Sequence, residues 1–334
     1  MRVAVIGTGI AGRSHLLDLV TNPRFDTCAV LAQRPGRAQL VAREFGIAAA
    51  FTNVTAMLEA VNPDAVVVAT PPAVTPTILR TVIDHGCLAL ADKPAGARAA
   101  HLHELLHHDG ATSVVVGYNR RYQAHVRHCR SLLHEAGQLI VQQVRCTWRA
   151  PFATRYNSTD TYRHTARFGD GVLLDTAGHV LDTLIYLGLG PVAIRDTRAE
   201  RGGAAGADVA AELLLTLAGT AQGRIDIRND DDSDADEWRI EITTNRGRLA
   251  LARDTLTGFW HDQPIIMSGS DIRRPVDDLL ALAEGHATYG ATLNEATEVL
   301  ELLDTARHHA EKAGDRKRWQ RPRAKALGRL NGSC

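Results

Sequence analysis

Three side chains in this sequence have the types and spacing for acid–base chemistry. Asp175 and His179 lie four residues apart in a stretch with helical periodicity, so a helix would place both on one face. There the carboxylate would orient the imidazole, whose ordinary pKa near 6.5 suits proton transfer at neutral pH. The alternative is a histidine that is buried in the protein core and capped by Asp175, which would show the same spacing. Lys93 follows an apolar run and precedes Pro94, a place where packing rarely needs a lysine, and it is the third candidate.

A glycine-rich segment near the start of the chain has the GxGxxG spacing of a dinucleotide-binding loop. It follows an apolar run and opens a stretch with helical periodicity, the context in which such a loop binds a pyrophosphate at a helix N-terminus. A structural glycine turn is the alternative. The residues of the predicted cofactor loop are Gly7, Thr8, Gly9, Ile10, Ala11 and Gly12.

The end of the second predicted strand lacks the carboxylate that holds the adenosine ribose of NAD in many dehydrogenases. Gln33 lies there instead, and Arg34 and Arg37 lie beside it. Because guanidinium groups suit a 2′-phosphate, the sequence predicts a preference for NADP, with NAD also possible. Surface arginines with no role in cofactor binding would give the same pattern.

Two patterns that resemble metal sites are better explained without a metal. His103 and His107 frame an HExxH motif, but the third histidine of such a zinc site is absent. The segment 230–241 has the acidic spacing of a calcium loop, but Ala235 occupies the position where the sharp turn needs glycine. We therefore predict a solvated helix face, an exposed acidic hairpin tip and no metal site.

Short apolar strands alternate with helical stretches over the first 120 residues. Runs rich in Val, Leu and Ala are typical of strands buried on both faces of a parallel sheet, and their alternation with helices indicates a doubly wound fold. Pro71, Pro72 and Pro94 follow two of these strands, at the edge where such sheets bind ligands. The predicted strands are 2–6, 27–32, 65–69, 87–91 and 113–117, and the predicted helices are 10–21, 36–45, 53–61, 73–85 and 97–109.

The pattern changes after about residue 120 and predicts a second, α+β domain. Trp238, Ile240 and Ile242 alternate with charged residues, which indicates a strand with one buried and one polar face. The predicted strands are 138–149, 209–217, 221–228, 237–243, 247–252, 256–260 and 263–267, and the predicted helices are 121–136, 171–188, 275–286 and 294–312. We expect a dinucleotide-binding domain at 1–120, a substrate and oligomerisation domain at 121–313, and a basic, flexible tail at 314–334.

Composition limits the class of protein. The net charge is zero, from 38 basic and 38 acidic residues, which argues against a nucleic-acid-binding protein. No apolar run approaches the roughly 20 residues of a membrane span, and an apolar strand begins at Arg2, so we expect neither a membrane protein nor a signal peptide. The five cysteines show no CxxC spacing, which favours a reducing, cytoplasmic location.

Taken in chain order, the motifs resemble the glucose–fructose oxidoreductase/inositol dehydrogenase (Gfo/Idh/MocA) family over residues 1–312. The resemblance implies a Rossmann domain joined to an α+β domain with a large, open, mostly antiparallel sheet, and a homo-oligomer, either a dimer or a tetramer. The segments that carry it are the loop 7–12 with His15, then 69–72, 92–94, 117–122, and 169–171 leading into Asp175, His179 and Asp182.

The resemblance also implies roles for residues around the cofactor. Lys93 is expected near the nicotinamide and the reacting hydroxyl, and His179 is expected to give or take the proton, with Asp175 as its partner. Two positions depart from the family pattern: Asp92 replaces the usual glutamate, and Thr75 replaces a histidine that many members have on the cofactor side of the pocket. The further expected cofactor contacts are Thr70, Pro71, Pro72, Asp92 and Lys93.

The expected substrate contacts come from three parts of the chain. Asn119 and Arg120 match family positions that line the sugar pocket, and Asp182 shares the predicted helix face of His179. Tyr156 and Arg163 belong to a segment that is polar and cationic enough for a hydroxylated or anionic ligand. An ordinary exposed loop would have the same composition.

The predicted activity is the interconversion of a secondary alcohol and a ketone on a sugar, cyclitol or related polyol, by hydride transfer to or from a nicotinamide. A non-catalytic dinucleotide-binding sensor is one alternative, since the family resembled includes a repressor. Reduction of an imine or another carbonyl, or redox-assisted glycoside cleavage, is another. The complete set of Lys93, Asp175 and His179 favours an enzyme whose partners are a polyol or keto-sugar and further copies of itself, with no nucleic acid or membrane.

Overall fold

The computed structural model describes residues 1–135, 137–151, 171–202, 207–229, 236–269 and 273–314. Two sheets organise these residues, one parallel with six strands and one mostly antiparallel with eight. None of the described helices is long and apolar enough to cross a membrane. The predicted tail lies outside the described residues apart from Gly314, where the last helix ends.

The amino-terminal domain alternates strands and helices, as the sequence predicts. Its elements are β1 Arg2–Ile6, α1 Ile10–Val20, β2 Asp26–Leu31, α2 Pro35–Phe45, β3 Ala49–Phe51, α3 Val54–Val61, β4 Ala65–Val68, α4 Thr75–Asp84, β5 Leu88–Asp92, α5 Ala100–Leu106 and β6 Val114–Gly117. The strands are parallel in the order β3-β2-β1-β4-β5-β6. The winding therefore reverses between β1 and β4, and sheets of this kind bind ligands in a crevice at the carboxyl ends of the two strands where it reverses.

Two details of this domain differ from the prediction. The strand β3 has only three residues, too few for a periodic signal, and lies at the edge of the sheet beside β2. The helix predicted at 97–109 is shorter, because the chain tightens into a 3₁₀ turn at Asp109–Ser113. The Nδ1 atom of His108 accepts a hydrogen bond from the amide of Gly110 at 2.9 Å and so holds this turn.

The remaining elements form the predicted α+β domain with its large, open, mostly antiparallel sheet. They are α6 Ala124–Glu135, β7 Val141–Arg149, α7 Gly178–Tyr186, β8 Val192–Arg201, β9 Asp208–Leu217, β10 Ala221–Arg228, β11 Glu237–Thr244, β12 Gly247–Ala252, β13 Thr255–Trp260, β14 Gln263–Ser268, α8 Asp277–Ala283 and α9 Leu293–Gly314. The strand order is β14-β13-β12-β11-β7-β10-β9-β8, and only the β7–β10 pair is parallel.

The edge strand β8 was not predicted from the sequence. Val192 and Ile194 alternate with exposed residues, but the register then shifts at Asp196 and the rest of the strand is polar. In β11, by contrast, Trp238 and Ile240 are buried as their alternation predicts. A mixed strand at a sheet edge therefore leaves too weak a period to detect.

The last described segment joins the two domains. Val276, directly before α8, and Leu279 on that helix belong to one hydrophobic cluster with Val3 of the amino-terminal sheet, although the sequence places 275–286 in the second domain. On α9, Arg307 donates through Nη1 to the carbonyl oxygen of Ala97 at 2.9 Å, and the helix also packs against α7 and β8. This double attachment fixes how the two sheets face each other around the crevice.

Candidate active site

The glycine-rich loop joins β1 to α1, and packing requires its first and third glycines. Gly7 has a φ of +109°, and a Cβ there would lie 2.0 Å from the carbonyl oxygen of Ala69. A Cβ on Gly12 would lie 2.0 Å from the carbonyl oxygen of Gly7. At Gly9, a Cβ would have no described atom within 4 Å, so the loop leaves open space there.

The same loop ends at the N-terminus of α1. Gly9 is the N-cap residue, and no described side chain caps the helix. Its first amide groups and the helix dipole are therefore available to an anion. The residues predicted to bind the pyrophosphate lie at this place, with Thr8 buried and Ile10 86% exposed. The open space and the uncapped helix together fit the pyrophosphate of a dinucleotide.

The residues predicted to select the cofactor lie beside this loop. Gln33, Arg34 and Arg37 are all exposed, in the turn that opens α2. Arg37 donates from Nε to the hydroxyl oxygen of Thr8 at 3.2 Å and from Nη2 to the carbonyl oxygen of Thr8 at 3.1 Å. The guanidinium of Arg37 is thus already held next to the glycine loop.

The turn after β4 contains Thr70, Pro71 and Pro72, at the same edge of the sheet. The hydroxyl of Thr75 donates to the carbonyl oxygens of Thr70 and Pro71 at 3.1 and 3.2 Å, and lies 2.8 Å from the hydroxyl of Thr70. Thr75 is fully buried. It therefore closes the turn from within.

Lys93 follows β5 and reaches across to the second domain. Its Nζ donates to both the backbone carbonyl oxygen and Oδ1 of Asp175, each at 3.1 Å. The two side chains are each 14% exposed, so this ion pair is shielded from solvent but still reachable from the crevice. Next to Lys93, Oδ1 of Asp92 lies 3.4 Å from Nε2 of His15, which links β5 to the first helix.

Asp175 lies in a π-helical turn, Leu173–Ala177, where the sequence predicts regular α-helix. The turn is held by polar contacts with the second sheet. The amide of Leu173 donates to Oδ2 of Asp208 at 2.7 Å, and Nδ2 of Asn229 donates to the hydroxyl of Thr176 at 2.9 Å. Wide turns of this kind occur frequently at functional sites, and here the turn presents the carbonyl oxygen and Oδ1 of Asp175 to Lys93.

His179 lies in the first turn of α7, directly after the π-helical turn. The ring of Tyr118 meets its imidazole edge-on at a centroid distance of 6.3 Å, and the indole of Trp148 lies 5.8 Å away at 47°. Burial raises the pKa of the Tyr118 hydroxyl, which therefore stays neutral beside His179. The structure thus pairs Lys93 with Asp175 and places His179 on the helix that directly follows the turn of Asp175.

Asp182 does not line this crevice, which corrects its predicted role in substrate binding. Its side chain is fully buried, and Arg121 donates to it from Nε at 2.9 Å and from Nη2 at 2.6 Å. Arg121 also donates to Glu295 on α9 at 3.0 Å. Burial raises the pKa of Asp182 to about 6, against the opposing effect of the Arg121 charge. The sequence does not show that Arg121 turns inwards to make this pair.

Asn119 and Arg120 are adjacent in sequence but lie in different environments. Asn119 is exposed after β6, where a ligand in the crevice has access to it. Arg120 is only 4% exposed, and its guanidinium lies between the indoles of Trp148 and Trp238. Burial lowers the pKa of Arg120 to about 9. Arg120 is therefore part of the wall behind the site and does not project into open space, contrary to the expectation of a direct sugar contact.

Some predicted residues lie outside the described part of the chain. Tyr156 and Arg163 belong to the gap 152–170, and the first half of the acidic segment belongs to the gap 230–235. The HExxH motif is described: Nε2 of His103 lies 3.0 Å from Oε1 of Glu301. Among the described residues, there is no group of three histidine, cysteine, aspartate or glutamate side chains placed to bind a metal ion.

Two family models match the chain. One describes an oxidoreductase family with an NAD-binding Rossmann fold and matches residues 1–120. The other describes a GFO/IDH/MocA C-terminal domain and matches residues 127–250. Together they take in most of the chain, including both domains seen in the structure.

Curated relatives and a solved structure agree with this match. Inositol 2-dehydrogenase of Rhizobium meliloti (strain 1021) is 24% identical over 295 residues, which cover 86% of this chain and 80% of the relative. D-glucoside 3-dehydrogenase of Escherichia coli (strain K12) is 26% identical over 204 residues, which cover 60% of this chain and 57% of the relative. The chain thus spans little more than half the length of that second relative.

The solved structure is a levoglucosan dehydrogenase in complex with NADH and L-sorbose. It superimposes with a TM-score of 0.81 at 18% identity, covering 93% of this chain and 97% of that one. At this identity, the likeness shows a shared fold. With the two family models, the crevice and its glycine loop, it leads to one conclusion: the chain belongs to the Gfo/Idh/MocA family of oxidoreductases.

Proposed function

We propose that this protein interconverts a secondary alcohol and a ketone on a sugar, cyclitol or related polyol, with a nicotinamide cofactor. The observation that carries the proposal is the ion pair between Lys93 and Asp175, which joins the cofactor domain to the turn that leads into His179. This pair is shielded and lies at the ligand-binding edge of the parallel sheet, and we assign its ammonium and the imidazole of His179 to the same substrate. A polyol hydroxyl in the crevice would meet both groups.

Each of the three side chains has a distinct task in this reaction. The bound nicotinamide supplies the hydride acceptor or donor. The ammonium of Lys93, held by Asp175, donates a hydrogen bond to the substrate oxygen and stabilises negative charge that develops on it. His179 takes the proton of that hydroxyl in oxidation and returns it to the oxygen in ketone reduction. Tyr118 and Trp148 limit the rotation of its ring.

The preferred cofactor in this proposal is NADP, with NAD as the weaker partner. Support comes from the exposed guanidinium groups of Arg34 and Arg37 and from Gln33 at the place of the ribose carboxylate. Arg37 is already bonded to Thr8 of the phosphate loop. A fork of this kind pairs well with a 2′-phosphate. The levoglucosan dehydrogenase structure contains NADH, so the preference within this fold has to be measured for this chain.

The substrate class follows from the chemistry of the crevice and from the relatives. The named relatives act on inositol and a glucoside, and the solved structure contains L-sorbose. In this chain we assign Asn119 to the substrate side, because it is exposed at the end of β6. We also assign Tyr156 and Arg163 to the substrate side, because the segment that contains them is polar and cationic.

We also propose that the protein assembles into a homo-oligomer through the open face of the large sheet. That face carries paired charges, with Arg224 and Glu212 at 2.8 Å and Arg248 and Glu241 at 3.3 Å. A twofold axis would place complementary charges from two such faces opposite each other. Light scattering after size-exclusion chromatography should give the mass of a dimer or tetramer, and a monomer mass would contradict the proposal.

A cytoplasmic location completes the proposal. Cys28, Cys87, Cys129 and Cys146 are free thiols, three of them buried, which suits a reducing compartment. Fractionation of cells that express a tagged chain should recover it in the cytosol. Recovery in a secreted or membrane fraction would contradict this assignment.

The activity is tested by screening polyols with NAD⁺ and NADP⁺, and keto-sugars with the reduced cofactors, while following nicotinamide absorbance. We expect turnover with at least one polyol and its ketone. Tight cofactor binding without turnover on any compound of either class would contradict the proposal and favour a sensor. Turnover only on imines would assign the site to a different reaction.

A further inference from the structure

Two tryptophans and one arginine form a sandwich behind His179. Trp148 on β7 and Trp238 on β11 are directly opposite each other in the strand register and lie on the buried face of the large sheet. The guanidinium carbon of Arg120 lies 4.1 Å from the centroid of each indole ring. Arg120 comes from the turn that follows β6, so the first domain inserts a flat cation between two rings of the second.

The sandwich continues at both ends into further rings. His125 on α6 stacks on Trp238 at a centroid distance of 6.4 Å and an angle of 24°. At the other end, Trp148 contacts the ring of His179. The indole NH of Trp148 donates to Oδ1 of Asp236 at 2.7 Å, which fixes its edge. A column of five side chains therefore runs from α6 to the candidate proton-transfer residue.

We propose that Arg120 is a positioning residue that holds Trp148 against His179 and so fixes the imidazole relative to Lys93. The role of His179 rests on the proposed function, whereas the sandwich itself does not. Arg120 is too deeply buried to be a substrate ligand. Arg120 belongs to the same domain as Lys93 and contacts Trp148 of the second domain. Through this contact, the domain that carries Lys93 also positions His179.

The chemistry of arginine suits this position better than that of other side chains. A guanidinium is planar and weakly hydrated, so it stacks on two indoles at once and is stabilised by the negative faces of both rings. A lysine ammonium is compact and strongly hydrated, and a methionine is uncharged and flexible. Either replacement leaves a gap into which Trp148 relaxes, and the ring of His179 then loses its support.

The kinetic test compares four variants with a matched control. Arg120→Met should lower kcat about 10–100-fold, the range in which a misplaced catalytic group acts, with KM for substrate and Kd for cofactor changed less than about threefold. Trp238→Leu, at the far side of the sandwich from His179, should give the same loss, and the double variant should add little to it. Trp238→Phe, which keeps a ring, should recover most of the activity. The control, Arg239→Met, removes an exposed guanidinium on the same strand and should behave as wild type.

A second measurement does not depend on turnover. Diethylpyrocarbonate modifies accessible histidines, and peptide mass spectrometry reports the rate at each one. Arg120→Met and Trp238→Leu should speed modification of His179 by about tenfold, the size of the kinetic effect, while the rate at exposed His103 stays constant.

The two measurements separate the possible failures. A rise in KM with kcat unchanged for Arg120→Met, and none for Trp238→Leu, would show a substrate contact and overturn the positioning role. An unchanged rate of modification at His179 would overturn it as well. If the wild-type protein turns over no polyol or keto-sugar, the proposed function fails, and the modification rates still decide the positioning role.

Discussion

At the residue scale, the proposed preference for NADP is tested at two exposed guanidinium groups, those of Arg34 and Arg37. Arg34→Ala should weaken NADP⁺ binding by about 10–100-fold, because a hydrogen-bonded pair of guanidinium and phosphate contributes roughly 1.5–3 kcal/mol. Binding of NAD⁺, which lacks that phosphate, should stay within about twofold. Fluorescence titration of the apo-protein with both cofactors measures this difference. Arg43→Ala, an exposed arginine in the last turn of the same helix, is the control. Tighter binding of NAD⁺ than of NADP⁺ by the wild-type protein would contradict the assignment.

Single residues also show how far the sequence predicts the site. Lys93 and Asp175 form an ion pair, and His179 lies on the helix that follows Asp175, because each residue follows a strand or lies in a helical segment whose position the fold sets. Asp182 shares the predicted face of His179 but belongs to a buried ion pair, because Arg121 approaches it from the turn after β6, 61 residues away in the chain. The sequence does not indicate that Trp148 lies beside His179, although the place of Trp148 in the predicted strand 138–149 makes it an inward-facing residue. Side chains that arrive from distant elements leave no local signal.

At the scale of elements, the three glycines of the phosphate loop have different tasks. Gly9→Ala should leave the free energy of unfolding within about 1 kcal/mol of wild type, because no described atom lies near the added Cβ. It should weaken cofactor binding at least tenfold, about 1.4 kcal/mol, because the methyl group occupies the space for the pyrophosphate. Gly7→Ala should destabilise the fold by more than about 1 kcal/mol, since its Cβ meets the backbone of Ala69. Urea unfolding and cofactor titration measure the two effects. Equal loss of stability in both variants would contradict this division.

The π-helical turn is a second element with a testable origin. Gly171 precedes it with a φ of +57°, and a Cβ there would lie 2.0 Å from the carbonyl oxygen of Asp208. Gly171→Ala should therefore shift the turn and lower both turnover and stability. Gly46→Ala, at a φ of +69° with no described atom within 4 Å of its Cβ, isolates the cost of the backbone conformation, about 1–2 kcal/mol. The loss in the Gly171 variant should exceed that cost, and an equal loss in urea unfolding would contradict the contact.

Helices and strands were predictable from the sequence where a regular apolar pattern extends over many residues. The parallel strands of the first domain, the inward face of β11 and the helix α9 follow from apolar spacing. The edge strands β3 and β8 do not, because one is three residues long and the other is half polar. The π-helical turn was also missed, since a sequence with helical spacing does not show where one wide turn replaces a regular one. Its contacts with Asp208 and Asn229 arise only when the sheet is in place.

At the scale of the whole molecule, a buried network of charges joins the turn after β6 to α7 and α9. Asp182→Asn should destabilise the protein by about 3–5 kcal/mol, because the neutral amide no longer balances the charge of the buried Arg121 guanidinium and only Glu295 still does. Glu212→Gln, in the more exposed pair with Arg224, should cost less than about 1 kcal/mol. Replacing both buried partners, as in Arg121→Met with Asp182→Leu, should restore much of the loss. Urea unfolding at neutral pH measures all three. Equal effects of the two single variants would show that the buried pair contributes no more than a surface pair.

The account as a whole depends on proton transfer by His179 opposite Lys93, and the most direct test is kcat/KM of His179→Ala on the best substrate from the polyol screen. General acid–base catalysis typically contributes roughly 10²–10⁴-fold, so kcat/KM should fall by about that factor. Cofactor affinity and the melting temperature should remain those of the wild-type protein. His103→Ala, which removes an exposed histidine from α5, should change none of these values. Retention of more than about a tenth of wild-type kcat/KM, well above the residual activity expected after loss of a general acid–base, would contradict the account.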